Sequence, residues 1–168
     1  MQKHPGRGTT VKHFAANNQE TNRYGNNSIV SERALREIYL RGFEIAVREG
    51  RPHALMTSYN LLNGIHTSER SDLIGDTLRA EFGFSGVVMT DWLVAALNSG
   101  KKKYPVPDAA RIAAAGGDLV MPGAPSDLKA MLERLKNGTV SRRQLMVNAT
   151  RVYRLAKKLT AESEVKKT

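Results

Sequence analysis

The sequence predicts an α/β fold built from four successive strand–helix units. Two observations carry this prediction: short apolar runs recur along the chain, and a segment with helical periodicity follows each of them. Alternation of this kind predicts a parallel sheet with right-handed crossovers. Four such units would form half of a TIM-type (β/α)8 barrel, because the 168 residues are fewer than the about 250 that a whole barrel needs. A four-stranded doubly wound sheet is the alternative, although no Gly-rich phosphate loop follows any predicted strand.

The four predicted strands are short apolar runs that end in polar or small residues. We expect them to be adjacent in chain order, at residues 10–16, 54–59, 87–91 and 119–121. The third is the clearest, because Val87, Val88 and Met89 follow a glycine, as expected of a strand buried on both faces. The carboxyl ends of parallel strands share one edge of a sheet, so the polar residues after these strands should lie together.

Five helices are predicted from capping residues and from apolar residues at helical spacing. Ser31 is a suitable N-cap for the first, and Ser141 with Gln144 forms a capping box for the last. The predicted helices are 31–49, 71–82, 107–115, 126–137 and 141–159. We expect residues 1–160 to form one half-barrel domain and residues 161–168 to be a polar tail or the start of a linker.

Composition and charge narrow the classes of partner and site. The chain has no cysteine, which excludes disulfides and thiolate chemistry and favours a cytoplasmic location, otherwise undetermined. No apolar run approaches the about 20 residues of a membrane helix, so we expect no membrane partner. Nearly all of the net charge of +10 comes from residues 101–168, which have 15 basic and 6 acidic side chains. Tyr153 is the single aromatic residue within the basic clusters at 101–103 and 151–167, too few to form a platform on which bases stack. We therefore expect no nucleic-acid partner, but a solvated face or a surface for an acidic domain.

Asp91 lies where the third apolar run ends, one residue after Thr90. Burying a lone carboxylate is costly, so Asp91 must be paired or must lie at an open strand end. In parallel α/β barrels that end of the strand carries the catalytic residues. The alternative, which the sequence leaves open, is that Asp91 caps the helix expected from Trp92 onward.

Four motifs occur in order along the chain, each overlapping a predicted strand: KHFAANNQE at 12–20, MTSYN at 56–60 with NG at 63–64, GFSGVVMTDW at 83–92 and AGGDLVMPG at 115–123. Together they resemble the strand ends of glycoside hydrolase family 3. The asparagines and glutamine after Lys-His-Phe favour its β-glucosidase-like branch over its bacterial N-acetylglucosaminidase branch, which usually has a Pro-Gly-His stretch there. The resemblance runs from about residue 10 to residue 159 and covers only the second half of that family's barrel.

The resemblance implies a retaining, exo-acting β-glycosidase that uses neither a metal nor an organic cofactor. Asp91 matches the family's nucleophile, whose carboxylate forms a covalent glycosyl ester that water then hydrolyses. Lys12 and His13 match a pair that binds sugar hydroxyls, Tyr59 a position beside the nucleophile, and Trp92 a wall against which the sugar ring stacks. Met56 is a further substrate-binding candidate, although packing is its simpler interpretation. A surface lysine, a buried histidine and a core tyrosine are the structural alternatives for Lys12, His13 and Tyr59.

The sequence departs from the family in what it lacks. The first half-barrel, with an arginine and an acidic pair that bind the sugar, has no counterpart here, and neither has the general acid/base. We therefore expect either a fragment or a chain that works with another subunit. Its partner would be the missing half-barrel and acid-bearing domain, or a second copy of itself, and its substrate a β-linked glucoside or oligosaccharide. A non-catalytic half-barrel that binds sugars or self-associates is the alternative function. Three other acids lie near strand ends: Glu20, Glu69 and Asp118. We expect Glu20 to pair with Arg23 and Asp118 to be a turn or strand-start residue. None of the three matches an acid of the family.

Overall fold

The computed structural model of the chain describes residues 2–98 and 103–164. Its strands are β1 (Thr10–Phe14), β2 (Asn27–Ser28), β3 (Ala54–Thr57), β4 (Leu61–Leu62), β5 (Ile65–His66), β6 (Val87–Trp92) and β7 (Leu119–Met121). Its α-helices are α1 (Glu32–Ala34), α2 (Arg41–Gly50), α3 (Val94–Asn98), α4 (Ala109–Ala114), α5 (Pro125–Lys136) and α6 (Arg142–Glu164). Two π-helical segments, Leu35–Tyr39 and Asp72–Glu81, and two short 3-10 turns, Arg23–Gly25 and Thr67–Glu69, complete the described elements.

The main sheet contains four strands in the order β1-β3-β6-β7, and every neighbouring pair is parallel. The predicted order and direction of the strands are confirmed, including the parallel pairing of the second and third. Leu55 pairs with Val88 and Met56 with Met89, while the register shifts after Val11 in β1 and after Met89 in β6. Both shifts lie near the carboxyl ends of the strands, where the candidate site residues are.

All five predicted helices are present, with differences at their ends. The first is α1, a π-helical segment and α2 in succession, and the second is entirely π-helical. The π-helical geometry is visible in bonds such as the one from the Phe82 N–H to the Thr77 carbonyl, and a 3.6-residue apolar pattern does not distinguish it from an α-helix. Helix α6 continues to Glu164, past the predicted end at 159. Residues 161–164 of the predicted tail thus belong to α6, and 165–168 lie outside the described residues, as do Lys101 and Lys102.

The sequence did not predict the second, three-stranded sheet, which has the order β2-β4-β5. Each of its strands is two residues long, which is too short to show an alternation of apolar and polar residues. The turn between β4 and β5 did carry a signal, because Asn63 and Gly64 both have positive φ angles, 51° and 90°. Asn-Gly is the preferred pair for a tight hairpin turn of this kind. This small sheet lies beside the carboxyl end of β3 and orders the loops around it.

The main core lies between the sheet and the helices that follow β1 and β3. Its fully buried members include Phe14, Leu55, Ile74 and Leu78, and Val88 of β6 packs with them. Because neighbouring residues of a strand point to opposite faces, Met56 and Met89 lie on the other face of the sheet. That face corresponds to the interior of the barrel.

Helix α6 packs across the amino ends of the strands. The Asn148 side chain donates to the carbonyls of Ala113 and Gly117, close to the start of β7. Near the other end of the helix, Glu162 accepts a hydrogen bond from the Gly6 N–H, ahead of β1. Within the described residues, α6 is long enough to span a bilayer but far too polar to do so, and none of the other helices qualifies either. The helix therefore closes the edge of the sheet opposite to Asp91.

Replacement of Gly86 by alanine should destabilise the fold. A Cβ atom at this position would lie 2.4 Å from the His53 carbonyl oxygen and 2.7 Å from the Phe84 ring. Because the Val87 N–H bonds to that same carbonyl, the clash cannot be relieved without disturbing the start of β3. We expect a loss of about 1 to 3 kcal/mol in the free energy of unfolding, measured by urea denaturation.

The matched control is Gly75→Ala, in the π-helical segment, where no atom lies within 4 Å of the added Cβ. That substitution should be neutral or stabilise by up to about 1 kcal/mol. Equal effects of the two substitutions would contradict the close packing of Gly86 against β3.

Candidate active site

Asp91 lies near the carboxyl end of β6 with a nearly buried side chain, 10% exposed. Its Oδ2 atom is 3.3 Å from Nε2 of His13, and its Oδ1 atom accepts a hydrogen bond of 2.7 Å from the Trp92 N–H. The next helix, α3, begins only at Val94. The backbone bond that holds Asp91 is therefore one within the strand end, which does not fit the helix-cap alternative.

His13 reaches Asp91 from a strand that is not its neighbour. Strand β3 lies between β1 and β6, so the contact passes over the end of β3. The His13 side chain is 33% exposed, and the imidazole is therefore open to a ligand as well as to the carboxylate. Both residues stand at the carboxyl edge of the sheet, as expected from the sequence.

Tyr59 lies just beyond β3 and is fixed on several sides. Its hydroxyl donates a hydrogen bond of 2.8 Å to the Trp92 carbonyl, and its ring meets Tyr24 edge-on at 4.8 Å. The Arg23 guanidinium lies 4.9 Å from the centre of the Tyr59 ring and pairs with Glu20 at 2.7 Å, so the expected ion pair is present. Burial, and then the negative charge of Asp91, raise the pKa of Tyr59 to about 12. At neutral pH the phenol is a proton donor beside the carboxylate.

The raised pKa of Tyr59 predicts a pH dependence of stability. Between the usual value of 10.0 and about 12, the unfolded chain releases the phenolic proton while the folded chain keeps it. The stability that this group contributes is therefore fully present below pH 10 and is lost as the pH rises to about 12. We expect the free energy of unfolding to fall more steeply across this range in the native chain than in Tyr59→Phe, and tyrosinate absorbance should show one late-titrating phenol that the variant lacks. Identical profiles would contradict this environment for Tyr59.

The other predicted site residues are placed less closely. Trp92 is 52% exposed, so one face of its ring is available next to Asp91. Lys12 is exposed and makes no hydrogen bond or ion pair with any residue that the structure describes. Met56 is 8% exposed and is paired in register with Met89 on the barrel-side face. The structure thus brings Asp91, His13 and Tyr59 together with Trp92 beside them, whereas Lys12 forms no polar interaction within the part of the chain that the structure describes.

The remaining acids near strand ends are occupied elsewhere. Glu69 accepts hydrogen bonds from the Asp108 N–H and from the Arg111 side chain, at 2.6 and 3.2 Å. Asp118 directly precedes β7, as expected, but its buried carboxylate also joins two arginines that the sequence did not connect with it, Arg79 at 2.7 Å and Arg151 at 3.0 Å. It therefore ties α6 and the second helical segment to the sheet.

A buried polar network that the sequence analysis missed holds the loop after β1. The Ser58 hydroxyl bonds to the Ala15 carbonyl and to the Thr67 hydroxyl, at 3.2 and 3.1 Å. The Asn60 side chain donates to the carbonyls of Ala15 and Ala16 at 3.3 Å. Because Ala15 follows His13 by two residues, this network fixes where the histidine stands. Its signal in the sequence was the run of polar residues directly after the second strand.

Comparison with known proteins places this arrangement in a family. Residues 1–155 match the model of the glycosyl hydrolase family 3 N terminal domain. The chain is 43% identical over 156 residues to beta-glucosidase B of Emericella nidulans, covering 92% of this chain and 17% of that protein. It is 40% identical over 154 residues to an exo-alpha-(1->6)-L-arabinopyranosidase of Bifidobacterium longum, covering 87% of this chain and 19% of that protein.

The fold is shared with solved enzymes of this type. The structure of a beta-glucosidase from Kluyveromyces marxianus matches with a TM-score of 0.84 and 34% identity, over 98% of this chain and 18% of that one. The match confirms the predicted α/β class and its TIM-type barrel character. The chain spans less than a fifth of the length of these relatives. It belongs to glycosyl hydrolase family 3, and it lies within that family's N-terminal domain.

Proposed function

We propose that this chain supplies the nucleophile side of the active site in a retaining, exo-acting β-glycosidase that acts on β-glucosides. The observation that carries the proposal is the position of Asp91: a nearly buried carboxylate at the carboxyl end of a barrel strand, within 3.3 Å of His13 and beside a neutral Tyr59. The family membership and the names of the relatives support the reaction class.

The geometry suits a double displacement. The Trp92 N–H holds one carboxylate oxygen, which fixes the rotation of Asp91 and keeps the carboxylate oriented for attack on the anomeric carbon. The imidazole of His13, with Lys12 on the same strand, would bind sugar hydroxyls, and the exposed face of Trp92 would stack against the ring. Tyr59 would stabilise the negative charge that returns to the carboxylate as the ester breaks, because its raised pKa keeps it protonated.

The general acid would come from outside the residues described. Glu69 and Asp118 are held by arginines, and Glu20 is an exposed partner of Arg23. We therefore propose that the chain is part of a longer enzyme, or acts with a second chain, that brings a carboxylic acid to within about 5 to 5.5 Å of Asp91, the separation found in retaining enzymes. A non-catalytic, sugar-binding half-barrel is the alternative that the test below must exclude.

The test compares the isolated chain with the whole protein that contains it. The whole protein should hydrolyse nitrophenyl β-glucoside and release the β-anomer first, as seen by proton NMR. The isolated chain should not turn over cellobiose, since general acid catalysis is worth about 10² to 10⁴-fold and the alkoxide leaving group needs it. At most it should show a slow burst with a dinitrophenyl glucoside, whose leaving group departs without protonation, and Asp91→Ala should abolish that burst.

Two outcomes would count against this proposal. Release of the α-anomer first would indicate an inverting mechanism and remove the nucleophile role of Asp91. Binding of glucose by the whole protein without hydrolysis of any aryl glucoside would favour the non-catalytic alternative. A panel of nitrophenyl glycosides would identify which pyranoside is the preferred substrate. The panel should extend beyond glucosides, because one relative carries the name of an arabinopyranosidase.

A further inference from the structure

A cavity of about 720 Å³ opens at the end of the fold opposite to Asp91. It lies between α2, the turn that leads into β6, and α6, at the amino ends of β3 and β6. Apolar side chains form its floor: Val47, Pro52, Phe82, Phe84 and Leu155. Gly86 lines the cavity and precedes Asp91 by five residues, which places the two roughly 16 Å apart along the strand. The cavity is therefore separate from the candidate active site.

Apart from Ser85, the polar side chains around this cavity are basic, namely Arg48, Arg51, His53, Arg151, Arg154 and Lys158. None of the described residues that line it is an aspartate or a glutamate. A concave site with an apolar floor, a polar rim and a volume between about 300 and 1,000 Å³ has the form of a small-molecule site. Its charge determines which molecules can occupy it.

Two of the six basic groups already have strong partners. Arg48 binds Glu44 and the Glu81 carbonyl, and Arg151 binds Asp118. These contacts hold the walls of the cavity in place. They leave little positive charge at those two positions for a ligand.

The other four basic groups line the same cavity with little compensation. Within the described part of the chain, the Arg51 and Arg154 side chains have no hydrogen bond or ion pair. The Lys158 ammonium lies 3.4 Å from Nε2 of His53, and its carboxylate partner Glu162 is 3.8 Å away. Like charges gathered in this way repel each other, and an oxyanion between them would relieve the repulsion. Guanidinium groups also match the geometry of phosphate and carboxylate oxygens.

We propose that this cavity binds a small organic oxyanion, a phosphate monoester or a carboxylate, held by Arg51, Arg154 and Lys158 with its apolar part on the floor at Phe82 and Phe84. The apolar floor distinguishes this ligand from a free inorganic ion. The proposal is independent of the glycosidase function, since it involves no residue near Asp91.

The experiment titrates the whole protein that contains this chain with phenyl phosphate, benzoate, inorganic phosphate and phenol by isothermal calorimetry at neutral pH. Sodium chloride at matched ionic strength controls for screening. We expect phenyl phosphate or benzoate to bind at least about fivefold more tightly than inorganic phosphate, because the ring gains apolar contacts. Phenol should not bind measurably. The tighter of the two organic anions identifies which oxyanion the site prefers.

The variants are Arg154→Gln and Lys158→Gln, with Arg143→Gln as the matched control. Arg143 lies on the same helix, is exposed and has the same charge, but does not line the cavity. Loss of one charged hydrogen-bond donor should weaken binding of the organic anion at least about tenfold in Arg154→Gln and Lys158→Gln. Arg143→Gln should change affinity less than about twofold. Circular dichroism confirms that each variant is folded.

Three results would overturn the proposal. The first is that neither organic anion binds beyond the effect of matched sodium chloride. The second is that Arg143→Gln weakens binding as much as Arg154→Gln, which would indicate a general effect of charge. The third is that inorganic phosphate binds as tightly as phenyl phosphate, which would exclude a role for the apolar floor.

Discussion

Replacing Asp91 with asparagine in the whole protein is expected to abolish formation of the glycosyl-enzyme and to lower kcat on aryl β-glucosides by at least about 1,000-fold, on the scale seen when other enzymes lose a nucleophile. The side chain keeps its shape and can still accept the Trp92 N–H bond, so the site should stay folded. An amide, unlike a carboxylate, cannot form the glycosyl ester. Ground-state binding of glucose should survive within a few fold.

The matched control for this experiment is Asp76→Asn, which removes the same charge from an exposed position in the second helical segment. It should leave kcat and KM within about twofold, the usual outcome for a surface substitution. If Asp91→Asn instead reduced sugar binding and turnover in equal proportion, with a matching loss of stability, the role of Asp91 would be structural.

The second large effect is expected at Asp118, on the stability of the fold. Its carboxylate, whose side chain is fully buried, accepts hydrogen bonds from Arg79, Arg151 and the Val88 N–H, at 2.7, 3.0 and 2.8 Å. Asp118→Asn would leave both guanidinium groups without a countercharge. Arg79 is the more sensitive, because burial already lowers its pKa. Breaking a buried ion pair from one side costs about 3 to 5 kcal/mol.

Urea denaturation of the isolated chain measures this loss in the free energy of unfolding. Asp76→Asn is again the matched control, and its free energy of unfolding should be within about 0.5 kcal/mol of that of the native chain. The substitution Arg79→Met separates the effect of charge from that of packing. Combined with Asp118→Asn, it removes one of the two guanidinium charges that Asp118→Asn leaves without a countercharge. The double variant should lose less than the sum of the two single losses. Additive losses would show that Asp118 and Arg79 do not stabilise each other.

The sequence was sufficient for the parts of the fold that rest on local patterns. Strand β6 follows from Val87 and Val88 between a glycine and an acid, and the parallel order follows from the alternation of strands and helices. The neighbourhood of Asp91, His13 and Tyr59 was also predictable, because the ends of neighbouring parallel strands must meet at one edge. The resemblance supplied the roles that such positions suggest.

Other features depend on contacts between distant parts of the chain. Asp118 lies 39 residues from Arg79 and 33 from Arg151, and nothing in either local sequence indicates that these three side chains share one buried site. The network of Ser58 and Asn60 similarly joins residues that are up to 45 positions apart. The basic cavity was invisible for the same reason: Arg51 ends one helix and Arg154 lies within another, so their charges read as separate surface residues. The Asp118 site, the Ser58 network and the basic cavity all form through tertiary packing, which local sequence patterns do not encode.

Covalent labelling of the whole protein tests whether Asp91 is the nucleophile of a retaining glycosidase. A dinitrophenyl fluoroglucoside forms a glycosyl ester that hydrolyses slowly, so the trapped sugar can be located by peptide mapping with mass spectrometry. We expect one added fluoroglucosyl group per chain, on the peptide that contains Asp91, and none in Asp91→Asn. A label on any other carboxylate, such as Glu69 or Asp118, or inactivation that leaves the Asp91 peptide unmodified, would contradict this role of Asp91.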